Sequence, residues 1–404
     1  MLLAMLCALF ASWGCEEEVG FANYPPSALT IKRSRWAIWT GGTLQLSGLA
    51  NDLDGDPITY RWTATAGTFN PSNGGGQHVE WTAPETPGAV RITLIVSDEI
   101  EESSRSVDVD VGALVPSPLE NSLALGDSGY VYILNETSLL NIPSDVTLTL
   151  GPGVTILIDS EFGGFDVSGS LVVQGSSSEK VTIGPNSSSY DTGLWSGIVI
   201  TGEGAVGDLN HLYVYSSEDG ILVSDGAQIT LDSCTVSTHL NFGLAIINGS
   251  KGVVRGSTIW DNGSGVSIQN SVATIRWSSI RYNSGLGIYM SAVNDTYTIS
   301  VEECVVANNG ENGIYLTGWV APTIHHNSIF YNGDLVGGYA IELFNYERED
   351  SVRAEHNFWG LAYQDTTSIL SIIYDKHDSP GTIKAYVGFI PWLSDPPVME
   401  QVRR

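Results

Sequence analysis

Three carboxylates occupy alternate positions near the start of the chain, at Asp52, Asp54 and Asp56. Closely spaced carboxylates supply the hard oxygen ligands that Ca²⁺ prefers, so we predict a calcium site here. The other interpretation is a turn in which Gly55 and Pro57 reverse the chain and the Asp side chains accept from nearby backbone N–H groups. No Glu lies where an EF-hand would place its bidentate ligand. Calcium is the cofactor that this motif suggests.

Two imidazoles and one carboxylate form a second candidate metal site, because Glu303, His326 and His356 fall on consecutive units of a repeat. Such side chains are suitable Zn²⁺ ligands. Units that stack about 4.8 Å apart could share one metal only if the side chains lean together. The alternative is a solvated polar stripe. Opposite charges in the neighbouring column would then form exposed pairs, Asp232–Arg255 and Arg276–Glu302.

Large aromatic side chains suggest a third kind of chemistry, since flat ring faces can cover sugar rings. We predict Trp260, Trp277, Tyr282 and Trp319 as residues of a carbohydrate groove. Scattered surface aromatics are the alternative, because isolated exposed rings are common in proteins.

The first residues of the chain read as an export signal. Met1 to Trp13 is an apolar run too short for a membrane span, which needs about 18 residues. Ser12-Trp13-Gly14-Cys15 resembles a bacterial lipobox, which implies that Cys15 is lipidated and anchors the protein to a membrane. An ordinary secretory signal, or a start codon placed too late, is the alternative.

Composition fits an exported β protein and excludes some partners. The 404 residues include 45 Gly, 17 Tyr and 11 Trp, and only 15% are charged. A net charge of −28 argues against nucleic acid or anionic lipid as a partner, because either needs a basic footprint. Together with the resemblance to a lipobox, which implies a lipid anchor, this predicts an exported protein at the outer membrane or cell surface.

A repeat of about 23 residues positions these side chains. Each unit carries a polar or small residue two places before an apolar one, then a polar residue, then a small residue that opens an apolar strand. The small residues are Gly220, Gly243, Gly265, Gly287, Gly313 and Ala340. This period predicts a solenoid, in which each coil buries its apolar face only by stacking on the next.

The polar position of the repeat predicts a ladder of side-chain amides between coils, formed by Asn262, Asn283, Asn309 and Asn332. We also expect these residues to adopt the left-handed backbone conformation of a tight turn.

The same register separates the two cysteines that remain after the leader. Cys234 and Cys304 fall in one column three coils apart, or about 14 Å, whereas a disulfide needs Cα atoms within about 7 Å. We predict two buried thiols.

An earlier segment has short alternating strands, predicted at Thr43 to Ser47, Ile58 to Ala64, His78 to Trp81, Arg91 to Ser97 and Ser106 to Val111. Trp62 and Trp81 are expected to pack between its sheets. The phrases from Asn51 to Trp62 and from Trp81 to Pro84, with Val96-Ser97-Asp98, resemble the PKD or cadherin-like immunoglobulin-fold family. The resemblance implies a small β-sandwich.

The repeat region resembles a second family. Trp195-Ser196-Gly197, Asn357-Phe358-Trp359-Gly360 and Gly388-Phe389-Ile390-Pro391-Trp392 are similar to bacterial pectin-lyase-like right-handed parallel β-helix proteins. The resemblance implies an all-β solenoid outside the cytoplasm. Where relatives are catalytic, it implies lyase or hydrolase action on polysaccharides. The motifs of polygalacturonase-like enzymes, Asp-Asp, Gly-His-Gly and Arg-Ile-Lys, are absent from the sequence.

The sequence thus predicts an all-β protein, a right-handed parallel β-helix solenoid preceded by a small immunoglobulin-like β-sandwich. The predicted segments are a signal peptide (1–14), lipidated Cys15 and tether (15–35), sandwich (36–111), linker (112–118), β-helix (119–360) and C-terminal cap (361–404). In the cap, Thr366 to Tyr374 is expected to be a helix and Ile383 to Val387 a strand.

We expect a non-catalytic surface lipoprotein that binds glycan or protein, with the sandwich as a spacer. A polysaccharide lyase or hydrolase of the pectin-lyase-like superfamily is the alternative.

Overall fold

The computed structural model describes residues 23–397 apart from 127–129, 136, 188, 190 and 334–336. The predicted signal peptide and Cys15 lie outside the described residues. Within the described part of the chain, no helix is long and apolar enough to cross a membrane.

The N-terminal body is a β-sandwich. Its strands are β1 (Ser27–Arg33), β2 (Ala37–Trp39), β3 (Thr43–Asn51), β4 (Thr59–Ala64), β5 (Thr68–Asn70), β6 (His78–Thr82), β7 (Gly88–Ser97) and β8 (Glu102–Leu114). One sheet has the order β1-β3-β6-β5, and β4, β7, β8 and β2 lie in the other. The five predicted strands are confirmed as β3, β4, β6, β7 and β8. Trp62 and Trp81 are buried between the sheets, and each indole N–H donates to a backbone carbonyl.

The remaining strands follow one another in coils of three. The first coils contain β9 (Leu123–Leu125), β10 (Val131–Leu134), β11 (Leu139–Ile142), β12 (Thr147–Leu150), β13 (Thr155–Ile158), β14 (Gly164–Val167), β15 (Ser170–Gln174), β16 (Val181–Pro185) and β17 (Gly197–Thr201). The middle coils contain β18 (Val206–Asn210), β19 (Leu212–Tyr215), β20 (Ile221–Ser224), β21 (Gln228–Asp232), β22 (Thr235–Ser237), β23 (Phe242–Ile247), β24 (Lys251–Arg255), β25 (Thr258–Trp260) and β26 (Ser264–Gln269). The last coils contain β27 (Val272–Arg276), β28 (Ser279–Arg281), β29 (Ile288–Ala292), β30 (Ile299–Glu302), β31 (Val305–Ala307), β32 (Ile314–Gly318), β33 (Thr323–His325), β34 (Ser328–Phe330) and β35 (Ile341–Tyr346). The chain ends with β36 (Val352–Arg353), α1 (Thr366–Leu370), β37 (Ile373–Tyr374) and β38 (Val387–Gly388).

Stacking these coils creates three parallel sheets, which confirms the predicted solenoid. The first sheet collects the first strand of each coil, from β9 to β36 and β38. The second runs from β10 to β34, and the third from β11 to β35 and β37. Residues of each strand alternate between the interior and the surface, because successive side chains of a strand point to opposite faces. In β29, for example, Ile288 and Met290 are fully buried in the core and Tyr289 points outward.

The sandwich and the solenoid share one sheet. Strand β8 pairs in parallel with β10, so the second sheet continues through β8, β7 and β4 into the sandwich. The predicted linker at 112–118 is therefore wrong at its start, where residues as far as Leu114 belong to β8. The sandwich covers the edge of β10, which would otherwise present unpaired backbone groups.

Buried polar contacts reinforce this junction. The Arg35 guanidinium pairs with Asp159, whose side chain is only 7% exposed, at 2.7 Å. Asn186 accepts a hydrogen bond from the Ala37 amide at 2.8 Å and donates to the Ala37 carbonyl at 2.9 Å. The sandwich is thus fixed to the solenoid.

Two further boundaries differ from the prediction. The tether predicted to end at residue 35 contains β1, which pairs antiparallel with β3, so the sandwich begins at Ser27. In the C-terminal cap, the predicted helix ends at Leu370, and the strand predicted at Ile383 to Val387 is present only as β38. Strands β37 and β38 continue the third and first sheets, so coil stacking extends past residue 360.

The predicted amide ladder is confirmed, and His239 begins it. Asn262, Asn283 and Asn309 each donate from Nδ2 to the Oδ1 of the next Asn, at 2.9–3.0 Å, and the series ends at Asn332. The backbone N–H of His239 donates to Asn262 Oδ1 at 3.1 Å. Asn262, Asn283 and Asn309 are buried and Asn332 is half-buried, so the buried amides satisfy one another where water has no access.

The expected left-handed conformation of the ladder Asn residues is wrong. The positive φ belongs to the preceding residue in each coil, Asp261 (58°), Tyr282 (56°), Asn308 (56°) and Tyr331 (54°). The turn therefore directs the residue before the ladder outward, and the Asn that follows points inward to its partner.

A second ladder lies at the turn between the first and second sheets. Its residues occupy the polar or small position of the predicted repeat. Ser257 Oγ accepts from the amide of Cys234, and Asn327 Oδ1 accepts from the amide of Cys304 at 2.8 Å. Asn327 Nδ2 then donates to Asn357 Oδ1 at 3.1 Å.

The two thiols behave as predicted. Cys234 and Cys304 are buried free cysteines on separate coils. Burial raises the pKa of each thiol to about 12, so neither is a nucleophile at neutral pH.

His239 makes the ladder sensitive to acid. Its Nδ1 accepts from the Ser217 amide at 3.1 Å, and its Nε2 is buried without a partner. Burial lowers the pKa of His239 to about 3, so the unfolded chain binds a proton first as the pH falls below about 6.5.

We expect the free energy of unfolding to decrease between pH 6.5 and 3, with about 2–4 kcal/mol of that loss due to His239. His239→Asn extends the ladder with its usual residue and should remove this contribution. Urea denaturation at pH 4 and 7 measures it, with exposed His78→Asn as control. Equal pH dependence in both variants would contradict the prediction.

Candidate functional site

The outer face of the third sheet carries a surface groove. Outward side chains of successive coils lie in register, and one column runs Leu222, Ala245, Ser267, Tyr289. The two central members of this column are small. A depression forms over β20, β23 and β26 because Ala245 and Ser267 leave space between larger neighbours.

The groove has a volume of about 480 Å³. Its apolar lining is Leu222, Leu240, Phe242, Ala245 and Ile247. Its polar side chains are Asp219, Asn241, Ser264, Ser267 and Gln269. Amide, carboxylate and hydroxyl groups beside an apolar ring are groups that bind hydroxyl-rich ligands.

The charge of this face is one-sided. None of the ten strands of the third sheet contains Lys, Arg or His, and Asp219 is the one charged residue lining the groove. The first sheet differs, because Lys251 and Arg255 lie on its outer face. An anionic ligand would find no compensating charge on the third sheet.

Aromatic rings continue this face beyond the groove. The ring centroids of Tyr289 and Tyr315 lie 5.9 Å apart, as do those of Tyr315 and Phe344. These rings were not predicted from the sequence. The repeat did indicate the two Tyr residues, because each comes two places after the small residue that opens its strand. Alternation alone places that position outward.

The aromatics predicted for a carbohydrate groove do not form one surface. Trp277 lies in the turn from the first sheet to the second, and Trp260 and Tyr282 lie where the second sheet leads to the third. Trp319 follows β32, at the turn back to the first sheet. All four are exposed, but they occupy three different corners and do not line one groove, so ligand binding by any of them stays a prediction.

The predicted Zn²⁺ site is not assembled either. Glu303 accepts a hydrogen bond from the indole N–H of Trp277 on the preceding coil. The rings of His326 and His356 stack with centroids 5.3 Å apart, so they lie side by side rather than converge on a point. All three have positive φ, which directs their side chains out of the turns.

The alternative of a surface stripe describes this corner better. The Arg255–Asp232 and Arg276–Glu302 pairs form at 3.3 and 3.0 Å, as predicted. The side chains are partly exposed, so each pair stabilises the fold by about 0–1 kcal/mol.

Asp52, Asp54 and Asp56 do converge. Their carboxylate oxygens lie within 4.8 Å of one another, and they are the one such group among the described residues. Asp52 Oδ1 accepts from the amides of Asp54 and Asp56 at 3.1 and 3.0 Å, as the turn interpretation requires. Asp52 Oδ2 is buried without a hydrogen-bond partner, so it is available as a cation ligand. The residues fit Ca²⁺, whose two positive charges would offset two of the three adjacent negative charges.

Calcium at this turn stays a prediction with a direct test. We expect millimolar Ca²⁺ to raise the thermal midpoint of the protein by a few degrees, and Asp54→Asn to remove the rise because one charged ligand is lost. Calorimetry with Ca²⁺ or Mg²⁺ measures both effects. Asp145→Asn, in a distant exposed turn, is the control, and an unchanged midpoint on Ca²⁺ addition would contradict the prediction.

Each of the two bodies matches a family model. Residues 28–111 match the PKD domain, and residues 170–355 match the right handed beta helix region. No curated protein matches the chain.

Two solved structures are similar to parts of the chain. A nucleoside hydrolase-related hypothetical protein from Saccharophagus degradans, associated with carbohydrate metabolism, is 16% identical over 23% of this chain and 26% of its own, with a TM-score of 0.19. The chain thus spans about a quarter of that structure. The A-module of a mannuronan C-5 epimerase from Azotobacter vinelandii is 12% identical over 70% of this chain and 91% of its own, with a TM-score of 0.32.

Proposed function

We propose that this chain, a PKD domain fixed to a right-handed β-helix, is a non-catalytic glycan-binding protein of the cell exterior. The observation that carries the proposal is the groove on the third sheet. Phe242 and its apolar neighbours would cover a sugar face, and Asn241, Gln269 and Asp219 would accept or donate hydrogen bonds to hydroxyl groups. A protein partner is the alternative. The groove favours it less, because a site with a volume of about 480 Å³ is small beside a standard protein–protein interface.

The charge of the groove favours a glycan without carboxylates. A bound uronate would lie beside Asp219 with no Lys, Arg or His on the strands beneath it. Burial of such a charge without a partner is unfavourable. The proposed ligand is therefore an uncharged oligosaccharide.

The enzymatic alternative, a lyase or hydrolase acting on polysaccharide, has no specific support in this groove. A lyase mechanism needs a base such as Arg or Lys, and hydrolysis needs two carboxyl groups on either side of the scissile bond. Asp219 is a single carboxylate, and the groove lining holds no second ionisable group.

Binding of a neutral glycan would depend on the depth of the groove. Ala245→Phe should fill it and weaken binding at least tenfold, equivalent to about 1.4 kcal/mol. A glycan array identifies the oligosaccharide, and titration calorimetry measures the affinity. The control is Val253→Phe, which adds the same ring to the outer face of the first sheet at the start of the next coil.

Equal affinity in the two variants would contradict the groove as the binding site. Unsaturated products released from uronate polymers in a lyase assay would contradict the non-catalytic proposal.

We also propose that Cys15 carries a lipid that holds the protein at the outer membrane or cell surface. The sequence Ser12-Trp13-Gly14-Cys15 and the acidic residues that follow support this. Cys15→Ser should move the protein from the membrane fraction to the soluble fraction of cells, and should abolish labelling with radioactive palmitate. Cys234→Ser is the control. Retention of Cys15→Ser in the membrane fraction would refute the anchor.

A further inference from the structure

The carboxylate of Glu342, on the third sheet, is framed by aromatic rings. Glu342 points outward from β35, between Tyr315 on the preceding coil and Tyr374 on β37. Phe344 and Tyr339 flank it along its own chain. The centroid of Phe344 is 5.9 Å from that of Tyr315, and the centroid of Tyr339 is 5.2 Å from that of Tyr374.

Asn312 fixes the orientation of this carboxylate. Its Nδ2 donates to Glu342 Oε2, and its Oδ1 accepts from the Tyr339 amide at 2.6 Å. Asn312 is only 7% exposed, so it is held in place and holds Glu342 in turn. Among the described residues, no hydrogen bond reaches Glu342 Oε1, so this oxygen is the free acceptor of the carboxylate.

The charge of Glu342 has no counterion in the described part of the chain. None of the ion pairs there includes it, and no strand of the third sheet carries a basic residue. Burial raises the pKa of Glu342 despite the hydrogen bond from Asn312. Burial and the nearby Glu342 carboxylate raise the pKa of Tyr315 to about 12. The site is thus partly desolvated and electronegative.

We infer that Glu342 and the surrounding rings form a binding site for an organic ammonium group. A cation would restore the electrostatic stabilisation that the carboxylate loses on leaving water, and ring faces attract cations through their quadrupoles. A charge-assisted hydrogen bond to Oε1 would fix the nitrogen. The ammonium group could come from an amino sugar or from a free alkylamine.

The site lies on the same face as the groove but is separate from it. Strand β35 is three coils beyond β26, or about 14 Å at the usual coil spacing. An oligosaccharide containing amino sugars could extend from one to the other. The inference does not require the groove to bind glycan, because the two sites have different residues.

Titration calorimetry with matched sugars tests the inference. The probes are the glucosamine trimer as its hydrochloride, the N-acetylglucosamine trimer and propylammonium chloride. We expect the glucosamine trimer to bind at least tenfold more tightly than its acetylated counterpart. Glu342→Gln, which keeps the shape and an acceptor for Asn312, should remove that preference. The control is Glu311→Gln, a nearby exposed carboxylate outside the ring frame, which should change affinity less than twofold.

The outcomes separate this inference from the proposed function. Equal affinity for the two trimers, or an unchanged preference in Glu342→Gln, overturns the ammonium site. Failure of both amine probes to bind also overturns it. Binding of the acetylated trimer to the Ala245→Phe variant tests the groove alone, because loss of that binding does not involve Glu342. If propylammonium binds in a Glu342-dependent manner, the amine suffices; if only the glucosamine trimer does, the ligand is an amino sugar.

Discussion

Parallel coils must repeat the same backbone hydrogen bonds at the same spacing, and the interior of this solenoid depends on that constraint. A polar atom that enters the core is stabilised by a partner on the adjacent coil, because water has no access to it. The Asn262–Asn332 ladder meets this requirement by giving each amide oxygen and nitrogen to its neighbours. A residue without a matching amide can occupy only an end of such a series, as His239 does.

Outward positions are free of that requirement, and the three faces differ for this reason. The corner after the first sheet carries charged pairs and imidazoles, whereas the outer face of the third sheet carries hydroxyl groups, amides and aromatic rings. The depth of the groove comes from the size of side chains in one column, with Ala245 and Ser267 between Leu222 and Tyr289. On a solenoid of this type, the residues that contact one ligand therefore come from successive coils rather than from neighbouring positions in the chain.

Much of the fold could be predicted because the repeat makes register visible. The spacing of Gly220 to Ala340 indicated the coils, and the column of Cys234 and Cys304 excluded a disulfide. The start of the sandwich could not be predicted, since Ser27–Arg33 becomes a strand through its pairing with a strand of later sequence. The Zn²⁺ hypothesis for Glu303, His326 and His356 placed the residues on the right coils. It was wrong about convergence, because the His326 and His356 rings stack on each other and Glu303 accepts from Trp277 instead.

The continuous sheet through β8 and β10 makes the sandwich a rigid base for the solenoid rather than a hinge. Because the two bodies are rigidly joined, the orientation of the sandwich sets both the tilt of the solenoid axis and the direction in which the third sheet faces. If neighbouring molecules held their sandwiches in the same orientation, the outer faces of their third sheets would be parallel and point the same way. A long polymer could then cross from one molecule to the next without changing course.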